Sequence, residues 1–471
     1  MYVRVEANIA PVPPVAIVGA ALRFPGAADP AAFHELMIAG RQMFRELAEA
    51  VPGHGHSGGN QPDPPPRPPS RAALLDREDI ARGWDPAAAA SGITARHVLA
   101  ADTVVAALAD VPPGARAVAP DRIGVIFADI PEPGARHAGD WVRERLGLTG
   151  SATAGNGAAA TAATGDAGPQ CSLRAVVAAC EALNAGEFDL VVAGGVSMGV
   201  GYDTVTGTQA GSPPAGDVRV YDASPSGMLP GEGSGAVALM RAADARAGEL
   251  PAYAEIAGWH LGDSDSPPSL RPAYVRAGVD PADVQLIEGH GAATEAEDLA
   301  ELSALLDVLG PRAHCALGAV SANIGDTRGA AGIAALLKTA LAMTTGTIPP
   351  ASGCVRPHPL LAADTAPLRL PAEAEPWPDT PVQLAAVNSL GTVASPDASR
   401  SGVVHVVLRR EPDPGYRAGR RRRAASASPD GTPPDAGSPM TVPAPRRAPG
   451  AHVAPPRPRM PQDTLLGTAA P

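Results

Sequence analysis

The sequence contains few aromatic residues and only one lysine. Aromatic residues make up 3% of the 471 residues and hydrophobic residues 45%, so a large core can form but must be built from Ala, Val, Leu and Ile. Of the 37 basic residues only Lys338 is a lysine, a bias that indicates coding preference more than function. The net charge of −12 argues against a body that binds nucleic acid.

Long apolar runs and secretion signals are also missing. No apolar stretch approaches the roughly 20 residues that a membrane span needs, and the first residues lack a basic segment followed by an apolar one. The cysteines stand at irregular spacing, which favours free thiols in a reducing compartment; they are Cys171, Cys180, Cys315 and Cys354. His54 and His56 have no Cys or carboxylate neighbours, so we predict no metal site. We expect a cytoplasmic protein without a membrane segment.

Proline and glycine are concentrated in particular segments of the chain. Residues 53–70 can form neither helix nor strand, and this composition predicts an exposed loop. Residues 411–471 are rich in Pro, Ser, Ala and Arg without apolar periodicity, which predicts a disordered tail.

Between these segments, short apolar runs alternate with helical patterns. The predicted strands are 15–18, 123–127, 190–193, 236–240, 284–288, 383–387 and 403–409. The predicted helices are 32–38, 173–183, 298–309 and 330–343. This alternation predicts a layered α/β architecture with mostly parallel sheets, in which glycine-rich turns at strand ends carry the chemistry.

Several of these segments resemble, in family order, the β-ketoacyl synthases, which are thiolase-fold condensing enzymes of polyketide and fatty-acid assembly. The resembling segments are VAIVGAALRFPGAADPAAFHELMIAG (15–40), CSLRAVVAACEALNAGEFDLVVAGGV (171–196), VYDASPSGMLPGEGSGAVAL (220–239), IEGHGAATEAEDLAE (287–301), SANIGDTRGAAGIAALLK (321–338), AAVNSLG (385–391) and VVHVVLRR (403–410). A single motif of this kind would be weak evidence, but their shared order along residues 13–410 is strong evidence for the fold.

The resemblance implies a duplicated five-layer α-β-α-β-α sandwich that normally dimerises. Its two halves are expected over residues 13–245 and 246–410. The implied substrate is an acyl or malonyl thioester on the phosphopantetheine arm of an acyl carrier protein, with no other cofactor. The implied partners are that carrier protein and either a second copy of this chain or an active ketosynthase.

The nucleophile position departs from the family pattern. The family places a Cys at a helix N-terminus, where its pKa is lowered and its thiolate accepts the acyl chain. Counting back from residues 193–196 without a gap puts Pro169 at that position and Cys171 two residues later. Since two residues correspond to about 200° of helical rotation, we expect the Cys171 sulfur to face away from the cleft.

The polarising residues are only partly retained. The first family histidine matches His290, but Asp326 stands at the second histidine position and Ser321 at the position of the family lysine that pairs with the glutamate matching Glu301. An ionised carboxylate cannot donate a hydrogen bond to a thioester carbonyl, and it would repel a malonyl carboxylate. The motifs also nominate three residues as substrate contacts, namely Thr294, Asn323 and Gly391.

Several hypotheses follow from this pattern. The first is a catalytically degenerate ketosynthase-like subunit that binds a carrier or pairs with an active synthase, as chain-length factors do. The second is an active condensing enzyme that uses Cys171, His290 and Asp326. A malonyl decarboxylase of the loading type needs both histidines and is disfavoured by Asp326, and a hydrolase-type relay in which Asp326 orients His290 ranks low without a nucleophile.

Overall fold

The fold is described here from a computed structural model. The structure describes residues 9–46, 71–76, 93–115, 118–129, 137–148, 171–198, 216–262, 269–363, 365–390 and 402–412. The predicted loop over 53–70 and the tail from residue 413 onward lie outside these ranges, so both stay predictions. The proposed boundary between the halves near residue 245 also stays a prediction.

The described strands follow the apolar runs of the sequence. They are β1 Val15–Arg23, β2 Arg45–Glu46, β3 Arg71–Ala72, β4 Ile123–Ala128, β5 Leu190–Ser197, β6 Gly233–Arg241, β7 Glu255–Gly262, β8 Leu286–Glu288, β9 Cys315–Gly318, β10 Thr347–Ile348, β11 Leu368–Arg369, β12 Glu375–Pro376, β13 Gln383–Leu390 and β14 Val403–Arg410. Each of the seven predicted strands is present; six are longer than the predicted run, and β8 is shorter than the predicted 284–288.

The described helices are α1 Pro30–Ile38, α2 Ala95–Asp110, α3 Ala138–Arg145, α4 Cys171–Asn184, α5 Ala242–Ala247, α6 Arg271–Ala277, α7 Glu295–Leu309, α8 Ser321–Ile324 and α9 Ala331–Thr345. The four predicted helices correspond to α1, α4, α7 and α9. None of the helices in the described ranges combines the length and apolarity needed to cross a bilayer.

Ten strands form one continuous sheet in the order β11-β9-β8-β13-β14-β7-β1-β6-β5-β4. The two halves meet where β1 pairs with β7 through Val15 and Ala16. Each half repeats one motif: β4 runs parallel to β5, which is antiparallel to β6, and β8 runs parallel to β13, which is antiparallel to β14. Strand β8 therefore occupies in the second half the place that β4 occupies in the first.

The prediction of mostly parallel sheets is wrong. Only four of the nine neighbouring pairs in the described sheet are parallel, and β6 and β14 are antiparallel to both of their neighbours. Continuous apolar strands indicate that helices cover both faces of a sheet, and such cover is compatible with either strand direction.

Alternate residues of the central strands enter different cores. In β1, Val15 and Ile17 belong to a central core shared with α4 and α9, whereas Ala16 and Val18 belong to an outer core shared with α2. In the second half, Ile287 belongs to another outer core, which also contains residues of α6 and α7. The central core contains strand residues from both halves of the sheet together with α4 and α9, and each outer core lies between one half and its outer helices, which gives the predicted α-β-α-β-α sandwich.

Candidate functional site

The loop after β8 carries His290. It runs from Gly289 to Ala293 and ends at Thr294, the N-cap of α7, whose hydroxyl accepts a hydrogen bond from the Glu297 amide at 3.3 Å. Ala293 adopts a left-handed conformation with φ of 57°, which is uncommon for a residue with a side chain. Its amide donates to Asp298 Oδ1 at 3.0 Å, so α7 holds this turn in place.

The two peptide groups that flank His290 in the chain are held by hydrogen bonds to side chains. The amides of His290 and Gly291 donate to the Glu301 carboxylate at 2.7 and 2.9 Å. The Ser321 hydroxyl lies close to both carbonyls, 2.8 Å from that of Gly291 and 3.2 Å from that of His290. The serine at the family's lysine position therefore binds the backbone of the loop, while a different set of groups satisfies Glu301.

Asp326 lies in the turn between α8 and α9. Its Oδ1 accepts a hydrogen bond from the Arg328 amide at 2.8 Å, and its backbone pairs with Leu229 and Gly231. The segment that contains Leu229 also contacts the histidine loop, because the Gly227 amide donates to the Ala293 carbonyl at 2.8 Å. The structure therefore brings the His290 and Asp326 loops against a common segment.

No hydrogen bond links the imidazole of His290 to Asp326 or to Cys171 within the described ranges. The hydrogen bonds that the structure gives for His290 are made by its backbone. The expectation of a relay in which Asp326 orients His290 thus receives no supporting contact.

Cys171 is the first residue of α4, and its side chain is fully buried in the central core. The next residue, Ser172, accepts a hydrogen bond from the Ile333 amide at 3.0 Å, so the N-termini of α4 and α9 lie side by side. Gly195 and Gly332 permit this close packing, because a Cβ at either position would collide with Ser172 or Leu173. Pro169, the ungapped nucleophile position, lies outside the described residues.

The three predicted substrate contacts differ in their surroundings. The side chain of Thr294 caps α7. Asn323 is 1% exposed, and its side-chain amide donates to the Arg41 carbonyl and to Ser352 Oγ, each at 2.9 Å. These two side chains have structural partners, and their role as substrate contacts stays a prediction. Gly391 lies outside the described residues.

Sequence reasoning missed a buried polar cluster beneath the histidine loop. Tyr221 donates from its hydroxyl to Glu301 Oε2 at 2.8 Å, and Asn388 donates from Nδ2 to Glu301 Oε1 at 2.6 Å. His405 Nδ1 lies 3.2 Å from Asn388 Oδ1, and His405 Nε2 lies 2.9 Å from the Tyr274 hydroxyl. Polar residues within apolar strands, such as Asn388 in β13 and His405 in β14, were the available signal.

Burial shapes the electrostatics of this cluster. Desolvation raises the pKa of Asp298 to about 7, opposed by the hydrogen bond from the Tyr221 amide and reinforced by the charge of Glu301. Desolvation lowers the pKa of His405 to about 3, so its imidazole is neutral. Nearby, the only lysine of the chain forms a buried ion pair, with Lys338 Nζ 3.0 Å from the Glu288 carboxylate. No group of three or more His, Cys, Asp or Glu residues suited to a metal ion occurs in the described part of the chain.

Two family models match the chain. The model of the β-ketoacyl synthase N-terminal domain matches residues 147–245, and that of the C-terminal domain matches residues 264–354. The second range contains both the histidine loop and Asp326, and the first contains the N-terminus of α4.

The curated relatives are much longer than this chain, and several of them are named polyketide synthases. The chain is 33% identical over 232 residues to the highly reducing polyketide synthase sorA of Penicillium rubens, an alignment that covers 46% of this chain and 9% of the relative. It is 32% identical over 290 residues to 5-methyl-1-naphthoate synthase of Streptomyces sahachiroi, covering 58% of this chain and 16% of the relative. The aligned region thus spans less than a fifth of either relative.

Solved structures share the fold. The ketosynthase from module 6 of the bacillaene synthase of Bacillus subtilis 168 aligns with a TM-score of 0.69 at 24% identity, covering 85% of this chain and 72% of that one. An oxazolomycin ketosynthase domain of Streptomyces albus JA3453 aligns with a TM-score of 0.66 at 26% identity, covering 85% and 76% of the two chains. Together with the family models, these likenesses show that the chain is similar to β-ketoacyl synthases over residues 147–245 and 264–354 and that it shares the fold of polyketide-synthase ketosynthases.

Proposed function

We propose that this chain is a non-condensing ketosynthase-like protein of polyketide-type biosynthesis, which binds an acyl carrier protein or pairs with an active ketosynthase. The observation that carries the proposal is the position of Asp326 and the hydrogen bond that its carboxylate accepts. It stands where the resemblance places the second carbonyl-polarising histidine, and its carboxylate accepts a hydrogen bond from the Arg328 amide within its own turn.

The chemistry of condensation explains why this exchange matters. Decarboxylation of a malonyl thioester needs hydrogen-bond donors at the thioester carbonyl, where negative charge develops in the transition state. An ionised Asp326 offers only acceptors at that place, and its charge opposes the approach of the malonyl carboxylate. His290 alone remains as a side-chain donor from the expected pair.

The surroundings of Cys171 support the same conclusion. Acyl transfer requires that the sulfur reach the thioester carbonyl, whereas the Cys171 side chain is fully buried among apolar residues of the central core.

One observation favours a second candidate, an active condensing enzyme. Cys171 is the first residue of the 14-residue helix α4, and a helix N-terminus stabilises a thiolate. A shift of the helix start that exposed the sulfur would give the family's usual arrangement of nucleophile and helix.

Incubation of the full chain with a short acyl thioester, followed by intact-mass and peptide mass spectrometry, separates the two candidates. We expect no acyl adduct on Cys171 and no carbon dioxide release from a malonyl thioester. Cys180→Ala is the matched control, since Cys180 is a fully buried thiol on the same helix. An adduct that disappears in Cys171→Ala but persists in Cys180→Ala would overturn the proposal.

Restoration of the missing donor sharpens the result. If Asp326 is what prevents decarboxylation, Asp326→His should release carbon dioxide from a malonyl thioester above the level of the unmodified chain, whereas Asp326→Ala, which removes the charge without adding a hydrogen-bond donor, should release less. Equal rates for all three proteins would remove Asp326 as the reason for inactivity.

A further inference from the structure

The Glu301 carboxylate accepts hydrogen bonds from four groups that carry no charge. These groups are the amides of His290 and Gly291, the Tyr221 hydroxyl and Asn388 Nδ2, at distances between 2.6 and 2.9 Å. Glu301 is 1% exposed, and all four contacts are donors, which is the pattern of an ionised carboxylate. Uncharged donors therefore stabilise the Glu301 carboxylate, which the family resemblance would pair with a lysine.

The orientation of Asn388 determines the rest of the network. Since its Nδ2 donates to Glu301, its Oδ1 faces His405 and requires a donor there. His405 must then carry its proton on Nδ1, which leaves Nε2 as an acceptor for the Tyr274 hydroxyl. One tautomer of one neutral histidine satisfies each of these contacts.

The chain of donors runs in a single direction. It starts at Tyr274 on α6, passes through His405 on β14 and Asn388 on β13, and ends at Glu301 on α7, which binds the histidine loop. The side chains of His405 and Asn388 are 0% and 2% exposed, so bulk solvent does not compete for these bonds. Buried, fully satisfied networks of this kind fix one conformation.

We propose that His405 and Asn388 are positioning residues for His290, acting through Glu301. The neutral Nδ1-protonated imidazole of His405 sets the amide of Asn388, which completes the donor set of Glu301, and Glu301 then holds the two peptide groups that carry the His290 side chain. The inference rests on the proposed function only in taking His290 as part of the site.

Hydrogen–deuterium exchange on the full chain tests this role without requiring catalysis. We expect His405→Phe to speed exchange of the His290 and Gly291 amides about tenfold, the effect of losing roughly one buried hydrogen bond. His405→Gln should restore slow exchange, because its amide group offers a donor to Asn388 and an acceptor to Tyr274. Tyr274→Phe should give a smaller increase of the same kind.

Tyr253→Phe is the matched control, since this hydroxyl donates to Asp110 at 2.8 Å in another part of the fold. It should leave exchange in the histidine loop unchanged. Equal exchange in His405→Phe and the unmodified chain would overturn the proposal, as would equal acceleration in His405→Gln and His405→Phe. If His405→Phe does not fold, Tyr274→Phe decides by the same comparison with Tyr253→Phe.

Nitrogen-15 NMR of histidine provides a second reading on the unmodified chain. We expect His405 as the Nδ1–H tautomer with no protonation between pH 5 and 8, in line with its pKa of about 3. An Nε2–H tautomer would overturn the proposal. Acylation of Cys171 would instead overturn the proposed function and leave this result untouched.

Discussion

The two halves of the molecule stabilise a buried carboxylate with different kinds of partner. Each has a buried carboxylate near the carboxyl end of a parallel strand, Asp129 after β4 and Glu301 beneath the loop after β8. Asp129 Oδ1 lies 3.0 Å from His137 Nδ1, and Oδ2 lies 3.5 Å from Arg96 Nε. Glu301 has neutral donors only among its described contacts.

Because their partners differ, the two carboxylates stabilise different parts of the structure. Basic side chains that reach solvent surround Asp129, with His137 28% and Arg96 11% exposed, so water can replace part of what is lost there. The partners of Glu301 are backbone amides and buried side chains, whose donors have no other acceptor among the residues that the structure describes. Glu301 thus fixes the local backbone, whereas Asp129 pairs with side chains and, through the Ala138 amide, with the start of α3.

The largest expected effect is the difference in stability lost when each carboxylate is removed. Glu301→Ala should lower the free energy of unfolding by about 4 kcal/mol, because several buried donors lose their acceptor together. Asp129→Ala should cost about 2 kcal/mol, since its partners reach solvent. Chemical denaturation measures both values, and an equal or larger loss in Asp129→Ala would contradict the comparison.

The pH dependence of stability is the next effect in size. Asp298 beside Glu301 has a folded pKa of about 7, well above that of an unfolded Asp. Above about pH 4 the unfolded chain releases this proton while the folded chain retains it, so stability falls as pH rises towards 7. Between pH 5 and 7 this group should remove about 2 kcal/mol.

Asp298→Asn isolates that contribution. We expect the variant to be less stable at pH 5, because one of the two amides bound by Asp298 loses its acceptor, but to show a flatter stability profile between pH 5 and 7. Denaturation at a series of pH values provides the slope. An unchanged slope would mean that another group titrates in this range.

The smallest expected effect concerns the other side of the histidine loop. Ser321→Ala should cost about 1 kcal/mol, because the hydroxyl bonds to carbonyls that can relax without leaving a charge unpaired. Ser303→Ala is the control, since its exposed hydroxyl donates to the Leu299 carbonyl within α7, and its loss should be close to zero. A loss in Ser321→Ala as large as that of Glu301→Ala would mean that the carbonyl side also fixes the loop.

The strands and helices could be predicted because apolar runs and helical spacing are local signals. The run over 190–193 became β5, and the pattern over 173–183 became α4, which begins at Cys171. Strand direction could not be predicted in this way, since β6 and β14 carry the same apolar pattern whether they run parallel or antiparallel to their neighbours.

The site was predicted only where a motif named it. His290, Asp326 and Ser321 were found by resemblance, but the contacts of Ser321 with two backbone carbonyls could not be read from a motif. Tyr221, Asn388 and His405 were missed because nothing in their local sequence connects them with Glu301.

The sequence by itself determined the family resemblance, the alternation of strands and helices and the exchange of a histidine for Asp326, since each of these depends on residue identity and order. Only the tertiary structure decided how Glu301 is satisfied, because its partners come from segments up to 87 residues away that meet through sheet pairing and helix packing. Hydrogen bonds depend on distance and direction in space, and those are fixed when the layers pack together.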